Sequence, residues 1–351
     1  MILAIETSCD DTSVAVIDAN RKAIACRVAS QVKEHTPFAG VVPEIASRAH
    51  LTNLPQVYES VLSEAQIDLA DLQAIAVTAG PGLIGSLLVG FNFAKALAYA
   101  TQKPLLAVNH IRGHVCAYQL EHPTPPFPAL ALVVSGGHTH LFHVDAQHRL
   151  TLLAKTVDDA AGEAFDKLAK MLNLGFPGGP QIDKLAQQGD ASQFRFNPSK
   201  FSDGYCHFSY SGFKTQAMRF IEQQPEAFQA SQELRANLCA AFQKAVVDHL
   251  LDRVARACDH YPFQSLILGG GVACNSELRR RFSDFGAERQ MPTLISSPRF
   301  CTDNAAMIGV EGWRLLESGE LAPLNQSADM SWSPFDQVDL LRTTPLSNAS
   351  N

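Results

Sequence analysis

His110 and His114 stand four residues apart in His110-Ile-Arg-Gly-His114, so on a helix both imidazoles project from one face and can share a single metal ion. The zinc-peptidase form of this spacing, His-Glu-x-x-His, places a general-base Glu beside the first His, and here Ile111 and Arg112 fill the interval. The pair points to a metal without pointing to peptide hydrolysis. Its plainer reading is two polar side chains near a helix start, one of them satisfied by a carbonyl. Asp303, in Phe300-Cys-Thr-Asp-Asn-Ala-Ala-Met-Ile308, lies where a loop runs into an apolar helix ending near Leu316. With the His pair it would complete a two-His, one-carboxylate site with open positions, a set that suits Fe(II) or Zn(II). By itself, Asp303 or Thr302 would cap that helix.

A second chemistry is written in glycine. In Val133-Val134-Ser135-Gly136-Gly137 the two glycines can take φ > 0, Ser135 adds a hydroxyl, and the backbone N–H groups of such a turn can face a phosphate. An ordinary hairpin favours the same residues. Downstream, Asp158 to Leu172 reads as a helix with Phe165, Leu168, Ala169 and Leu172 on one face. Glu163 and Asp166, three apart on it, would either hold ribose hydroxyls or pair with Lys167 and Lys170. Pro177-Gly-Gly-Pro180 reads as a rigid turn into another helix with Asp183 in its first turn, where a carboxylate caps N–H groups or faces a ligand over Gly179.

The elements that must position these residues come in two similar sets. Ile2 to Ile5, Ser13 to Ile17 and Ala23 to Cys26 read as a three-strand meander, and Ala129 to Val134, Thr139 to Val144 and Leu150 to Ala154 repeat it. A strand, glycine turn and helix also recur, at Ala74 to Tyr99 and at Ser265 to Phe282. Two copies of one plan predict a duplicated α/β domain with a nucleotide cleft between the halves. The proline-rich stretch Glu121-His-Pro-Thr-Pro-Pro-Phe-Pro128 breaks the halves apart. The expected division is residues 1–120, residues 121–335 with a helical insertion, and a tail over 336–351.

The totals fit an ordinary globular protein of two domains. With 351 residues, 46% of them hydrophobic, each half can bury a core. Eight Cys without a Cys-x-x-Cys pair read as reduced thiols in a cytoplasm. The opening Met1-Ile-Leu-Ala-Ile-Glu6 lacks a basic region and is interrupted by Glu6, so neither a signal peptide nor a membrane anchor is expected. A formal charge of −7 excludes nucleic-acid binding by bulk electrostatics, leaving local basic patches. Arg279-Arg-Arg281 reads as a solvated helix face.

Taken in order, Glu6-Thr-Ser-Cys-Asp-Asp-Thr12, Val41-Val-Pro-Glu-Ile-Ala-Ser-Arg-Ala-His50, Thr78-Ala-Gly-Pro-Gly-Leu83, the His pair, Val134-Ser-Gly-Gly-His-Thr139, Asp158 to Lys167, Pro177-Gly-Gly-Pro180, Phe208-Ser-Tyr-Ser-Gly-Phe-Lys-Thr215, Gly270-Gly-Val-Ala-Cys-Asn275 and Cys301-Thr-Asp-Asn304 resemble the bacterial tRNA adenosine threonylcarbamoyltransferase family from about residue 2 to 335. The resemblance implies an actin/Hsp70/sugar-kinase-like fold. It implies transfer of a threonylcarbamoyl group from threonylcarbamoyl-AMP to the exocyclic amine of adenosine 37 in tRNAs reading codons that begin with A. It makes His110, His114 and Asp303 metal ligands, with Fe(2+) favoured over Zn(2+). It gives Val133, Val134, Ser135, Gly136, Gly137, Asp166, Gly179, Asp183 and Asn275 to the adenylate intermediate. The implied partners are tRNA, a degenerate paralogue of the same fold and a small P-loop ATPase, with no membrane. Asp10 and Asp11, in the first turn, are candidates for positioning or deprotonating the amine, burial having to raise such a pKa. Capping of the turn is the competing role.

The chain departs from the family at Asn109, where some relatives carry another His, at His140 in place of Gln, and at Met330-Ser-Trp-Ser-Pro334 in place of a basic tail. Two other classes share parts of the pattern. A metallopeptidase would need the Glu that is missing. A nucleotide-switched binding module of the Hsp70 type would need a substrate-binding extension.

Overall fold

The structure, a computed structural model, describes residues 1–199 and 201–342; residues 343–351 of the expected tail lie outside these. In chain order, the first elements are β1 (Ile2–Glu6), β2 (Asp11–Ile17), β3 (Ala23–Ser30), α1 (Val32–His35), α2 (Pro43–Ala65), β4 (Ala74–Gly80), α3 (Ile84–Thr101), β5 (Leu105–Asn109) and α4 (His110–Cys116). There follow β6 (Ala129–Val134), β7 (Thr139–Val144), β8 (Leu150–Lys155), α5 (Ala161–Met171), α6 (Gly178–Ala186), α7 (Ser211–Gln223), α8 (Pro225–Ala230) and α9 (Gln232–His260). The chain continues through β9 (Ser265–Gly269), α10 (Ser276–Glu288), β10 (Thr293–Ile295), α11 (Pro298–Cys301), α12 (Ala305–Ser318) and β11 (Gln337–Val338).

Two compact units result. One contains Met1–Thr124 and Ser296–Pro334; the other contains Pro125–Ile295 and the described residues from Phe335 onward. Ser296–Pro334, expected from sequence in the C-terminal half, thus packs with the first unit. The reason lies in α12, whose glycines let it approach the first sheet closely. A Cβ on Gly309 would sit 2.4 Å from Cγ1 of Ile17, and one on Gly312 would sit 2.7 Å from Cβ of Ala76. The described start of the expected tail is likewise no tail. There β11 pairs in parallel with β8, Gln337 opposite Thr151 and Val338 opposite Leu152.

The repeat seen in the sequence is a repeat of topology. The first sheet runs β3-β2-β1-β4-β5 and the second β10-β9-β6-β7-β8-β11. In each, the first strand of an antiparallel meander also pairs with a parallel strand from a later strand-turn-helix unit: β1 with β2 and β4, β6 with β7 and β9. Parallel β1, β4 and β5 therefore end together at Glu6, Gly80 and Asn109, and parallel β6, β9 and β10 end together at Val134, Gly269 and Ile295. In open α/β sheets the carboxyl ends of such strands are where ligands bind.

Strand alternation divides the first unit's core into two layers. Leu3, Ile5, Val14, Val16, Ile75 and Val77 pack with Leu54 of α2 and Phe91 of α3. Ile2, Ala4, Ala15, Ile17 and Ala76 pack with Met307, Ile308 and Trp313 of α12. Each fully buried large aliphatic chain contributes about 1.5–3 kcal/mol relative to exposure, so both layers hold the sheet rigid. The 18-residue α3 has the length and apolarity of a membrane span, and its Phe91, Ala94 and Ala98 pack into this core. In the second unit the insertion between β8 and β9 is helical, and Phe165 of α5 meets Phe242 of α9 edge to face at 5.7 Å. All eight cysteines are free thiols.

Two boundaries differ from expectation. α5 begins at Ala161 and leaves Asp158 outside, where it accepts hydrogen bonds from the Ser209 hydroxyl at 2.6 Å, the Ser211 hydroxyl at 2.6 Å and the Tyr210 N–H at 2.8 Å. A short carboxylate competes with helical hydrogen bonding and serves better here, at the start of α7. α6 begins inside the Pro-Gly-Gly-Pro motif at Gly178, which moves Asp183 beyond its first turn.

Candidate functional site

At the carboxyl end of β5 the chain turns directly into α4. Asn109 caps that helix, its Oδ1 accepting from the N–H groups of Ile111 at 3.0 Å and Arg112 at 3.4 Å. The Asn departure from the family pattern is thus a helix cap, which leaves the His pair untouched. His110 becomes the first helical residue, and His114 follows one turn on the same face. Asp303 precedes α12, where the cap is Asn304, whose Oδ1 accepts from the Met307 N–H at 3.0 Å. Capping by Asp303 or Thr302 was the plain expectation, and Asn304 relieves Asp303 of it.

His110, His114 and Asp303 come together, with ligand atoms all within 4.8 Å of one another. Nε2 of His114 is 3.2 Å and Nε2 of His110 is 3.5 Å from Oδ1 of Asp303, and the two rings meet edge to face at 4.7 Å. Neither ring nitrogen of the buried His114 makes a hydrogen bond to a described residue. Its Nε2 instead faces the Asp303 carboxylate, as two ligands of one metal ion face each other. The residues therefore fit a divalent metal by donor set and spacing.

Glu6 is the feature that sequence reasoning passed over. It is fully buried at the end of β1, its Oε2 lies 3.0 Å from Nδ1 of His110, and the same oxygen accepts from the Thr78 hydroxyl of β4 at 2.5 Å. Its Oε1 accepts from the Ser8 N–H at 2.5 Å, and the Ser8 hydroxyl lies 3.1 Å from Nδ1 of His110. A carboxylate accepts only, so Nδ1 carries a proton toward Glu6 and the ring is held with Nε2 facing Asp303, the arrangement that orients metal-bound histidines. A charged residue ending an otherwise apolar buried strand was the signal available in the sequence.

Charge shapes the site. Burial opposes a charge on His110, but Glu6 and Asp303 overcome it and raise its pKa to about 9, while burial keeps His114 below the usual range. Burial pulls Glu6 upward, and His110 holds it below the ordinary carboxylate value nonetheless. Asp11, at the start of β2, is pushed up to about 7, first by burial and then by the charges of Asp303, Asp10 and Glu6. Its buried Oδ1 has no hydrogen-bond partner among the described residues. Asp10 is raised as well, chiefly by burial.

The second unit's residues gather on turns at the ends of β6 and β9. Val133 and Val134 are the buried end of β6; Ser135 to His138 form the hairpin, the Ser135 N–H donating to the His138 carbonyl at 2.8 Å. Gly136 and Gly137 are exposed, with open space where a Cβ would be, and neither has the positive φ expected of it. A four-residue hairpin loop closed by Ser135 spans the gap without left-handed backbone. Bare, accessible peptide groups are what the two glycines contribute. Strain-relieving glycines stand beside them. Gly270 has φ +91° and a Cβ there would be 2.3 Å from the Val134 carbonyl, while one on Gly162 would be 2.7 Å from the Ser135 carbonyl.

The polar residues assigned to this unit also fasten its loops. Oδ1 of Asp166 accepts from the Gly178 N–H at 2.7 Å, setting the start of α6, and Gly179 beside it has open space above its Cα. Asp183 accepts from the Ser276 hydroxyl at 2.7 Å and N–H at 3.1 Å. Asn275 caps α10, its Oδ1 accepting from the Leu278 N–H at 3.0 Å while its amide donates to Gln243 at 2.8 Å. Glu163 pairs with Lys167 at 2.8 Å, the solvated alternative for that carboxylate. Of the run expected as a solvated helix face, only Arg280 is exposed, pairing with Glu277 and Asp284 on its own helix; Arg281 reaches Asp248 of α9, and half-buried Arg279 donates to the Ala273 carbonyl at 3.1 Å.

Set beside known proteins, the chain has the fold of the actin/Hsp70/sugar-kinase class. It is similar over 93% of its length, at 12% identity and TM-score 0.51, to the activator of 2-hydroxyisocaproyl-CoA dehydratase from Clostridium difficile, covering 99% of that chain. It is similar over 90%, at 11% identity and TM-score 0.59, to HypF of T. kodakarensis, covering 48% of that chain. Residues 22–310 match the model of the family described as TsaD, tRNA N6-adenosine threonylcarbamoyltransferase. The chain is 46% identical over 338 residues to the tRNA N6-adenosine threonylcarbamoyltransferase of Geobacter sulfurreducens, covering 96% of this chain and 97% of that one. It belongs to this transferase family.

Proposed function

We propose that this transferase moves a threonylcarbamoyl group from threonylcarbamoyl-AMP onto the exocyclic N6 amine of adenosine 37 in tRNAs that read codons beginning with A. The observation that carries this reading is the family membership over nearly the whole chain, at 46% identity to a relative of that activity. Neither the metallopeptidase nor the Hsp70-type module has support among the relatives. The His pair without a neighbouring Glu suits group transfer as well as the sequence implied.

The donor is a mixed anhydride of a carbamic acid and a phosphate. The amine attacks its carbonyl carbon, the bond from that carbon to the phosphate oxygen breaks, AMP leaves with the electron pair, and the amine gives up a proton. Gly136 and Gly137, with their accessible peptide groups, are suited to phosphate oxygens, Val133, Val134 and Ser135 to carrying that turn at the strand end, and Asp166, Gly179, Asp183 and Asn275 to the nucleoside. His110, His114 and Asp303 would hold a divalent metal, Fe(2+) in preference to Zn(2+), whose Lewis acidity stabilises charge growing on a donor oxygen. Glu6 and Ser8 keep the His110 ring turned for this. Asp11, with a pKa near 7 and an unused oxygen, is suited to take the amine proton. No side-chain nucleophile is required.

The protein is assigned to the cytoplasm, working with a degenerate paralogue of its own fold and a small P-loop ATPase. The test supplies threonylcarbamoyl-AMP, unmodified tRNA and those partners, then digests the tRNA and weighs its nucleosides. A threonylcarbamoyl adduct on adenosine is the expected product, and its absence from the complete mixture overturns the reading.

A further inference from the structure

Behind the Asp10–Asp11 turn lies a chain of buried side chains that the chemistry above does not use. Gln31, His35, His50 and Thr12 are all fully buried. Their hydrogen bonds have a single direction. The Val42 N–H donates to Nδ1 of His35 at 3.3 Å, so Nε2 carries the ring proton and donates to Oε1 of Gln31 at 3.3 Å. The Gln31 amide faces Nδ1 of His50 at 3.4 Å, and the Thr12 hydroxyl lies 2.7 Å from the same nitrogen. Nε2 of His50 is 2.9 Å from the Cys9 carbonyl, which can only accept, so the proton sits there and Nδ1 is the acceptor. Every bond points toward Cys9, the orientation in which successive hydrogen bonds polarise one another.

The turn is gripped on both sides of Asp11. His50 takes the Cys9 carbonyl before it and the Thr12 hydroxyl after it, and the Gln31 N–H donates to the Asp10 carbonyl at 3.2 Å. Asp11 itself lies opposite Ser30 in the β2–β3 ladder. A buried, fully partnered imidazole about two turns inside α2 could have been replaced by an apolar side chain if packing were its only task. We infer that His50 is a positioning residue for the transfer reaction, fixing through Cys9 and Thr12 the turn that presents Asp11. The inference rests on Asp11 taking the amine proton.

The experiment uses the full chain in the reconstituted tRNA reaction, with His50→Leu, His50→Gln, Asp11→Asn and the His50→Leu/Asp11→Asn double variant. His50→Leu should lower kcat at least about tenfold with KM for donor and tRNA within about twofold, and metal content should be unchanged. His50→Gln, whose amide N–H can still reach the Cys9 carbonyl, should recover most of the loss. In the Asp11→Asn background, His50→Leu should add less than about twofold, because both act on one group. Unchanged kcat in His50→Leu with only a lowered melting temperature, or losses that multiply in the double variant, would overturn the inference and leave the role of Asp11 intact. Full activity in Asp11→Asn alone would instead remove the role of Asp11, and this inference with it.

Discussion

The two units share one topology and use it for opposite purposes. In each, a turn follows the first strand of the meander at the carboxyl ends of parallel strands. In the first unit that turn is Glu6-Thr-Ser-Cys-Asp-Asp11, and it crowds carboxylates around two imidazoles. In the second it is Ser135-Gly-Gly-His138, whose two central glycines carry no side chain and leave their peptide groups accessible. The first arrangement raises the pKa values of Asp10, Asp11 and His110, while the two glycines of the second turn offer neutral dipoles. A common backbone thus settles where each turn stands on its sheet, and a few side chains in the turn settle whether it presents charge or amide.

The sharpest way to break this contrast is to strip the charge from the first unit. Asp303→Ala and His114→Ala should each lose bound metal by elemental analysis and lower transfer at least about a hundredfold, with circular dichroism unchanged. Retained metal in either variant would show that the three residues do not form the site. The matching attack on the second unit is Gly270→Ala, whose Cβ would meet the Val134 carbonyl on a backbone with φ +91°. It should destabilise the protein by about 2–4 kcal/mol in denaturant unfolding and raise KM for the donor, with metal content kept. Loss of metal there would mean that the two sites are not separable.

A pH experiment sharpens the comparison further. Burial lifts the folded pKa of Asp11 to about 7, well above the ordinary aspartate value, so its contribution to stability is fully present at low pH and is lost as pH rises through 7. Asp11→Asn should therefore be about 2–4 kcal/mol more stable than the native chain at pH 8.5, as an order-of-magnitude expectation, and near equal to it at about pH 4. Equal stability at both pH values would show that Asp11 is not buried against its neighbours' charge. The smallest effect belongs to a fastener of the second unit. Asp183→Ala removes the acceptor of the Ser276 N–H and hydroxyl and should cost about 1 kcal/mol by chemical unfolding.

Much of the frame was legible without coordinates. The two meanders and both strand-turn-helix units fall where alternation and glycine turns place them, because a strand buried on one or both faces and a turn at its end are local properties of sequence. Less regular elements were not. Asp158 looks helical by periodicity, yet its partners Ser209, Tyr210 and Ser211 arrive from a distant loop and hold it outside α5. Ser296–Pro334 follows the second unit in the chain and packs with the first, since the surface that Gly309 and Gly312 require belongs to Ile17 and Ala76.

The sequence by itself determined the pairing of His110 with His114, a consequence of helical pitch alone, and the bareness of Gly136 and Gly137, a consequence of having no Cβ. It also determined the duplicated plan, because hydrophobic period and turn chemistry repeat in order. Only the tertiary structure decided that Asp303 lies 3.2 Å from His114, that Glu6 orients His110, and that His50 grips the turn bearing Asp11. Those three relations join residues far apart in the chain. They exist because parallel strands β1, β4 and β5 bring their carboxyl ends to one edge, and no local pattern encodes which distant loop will arrive there.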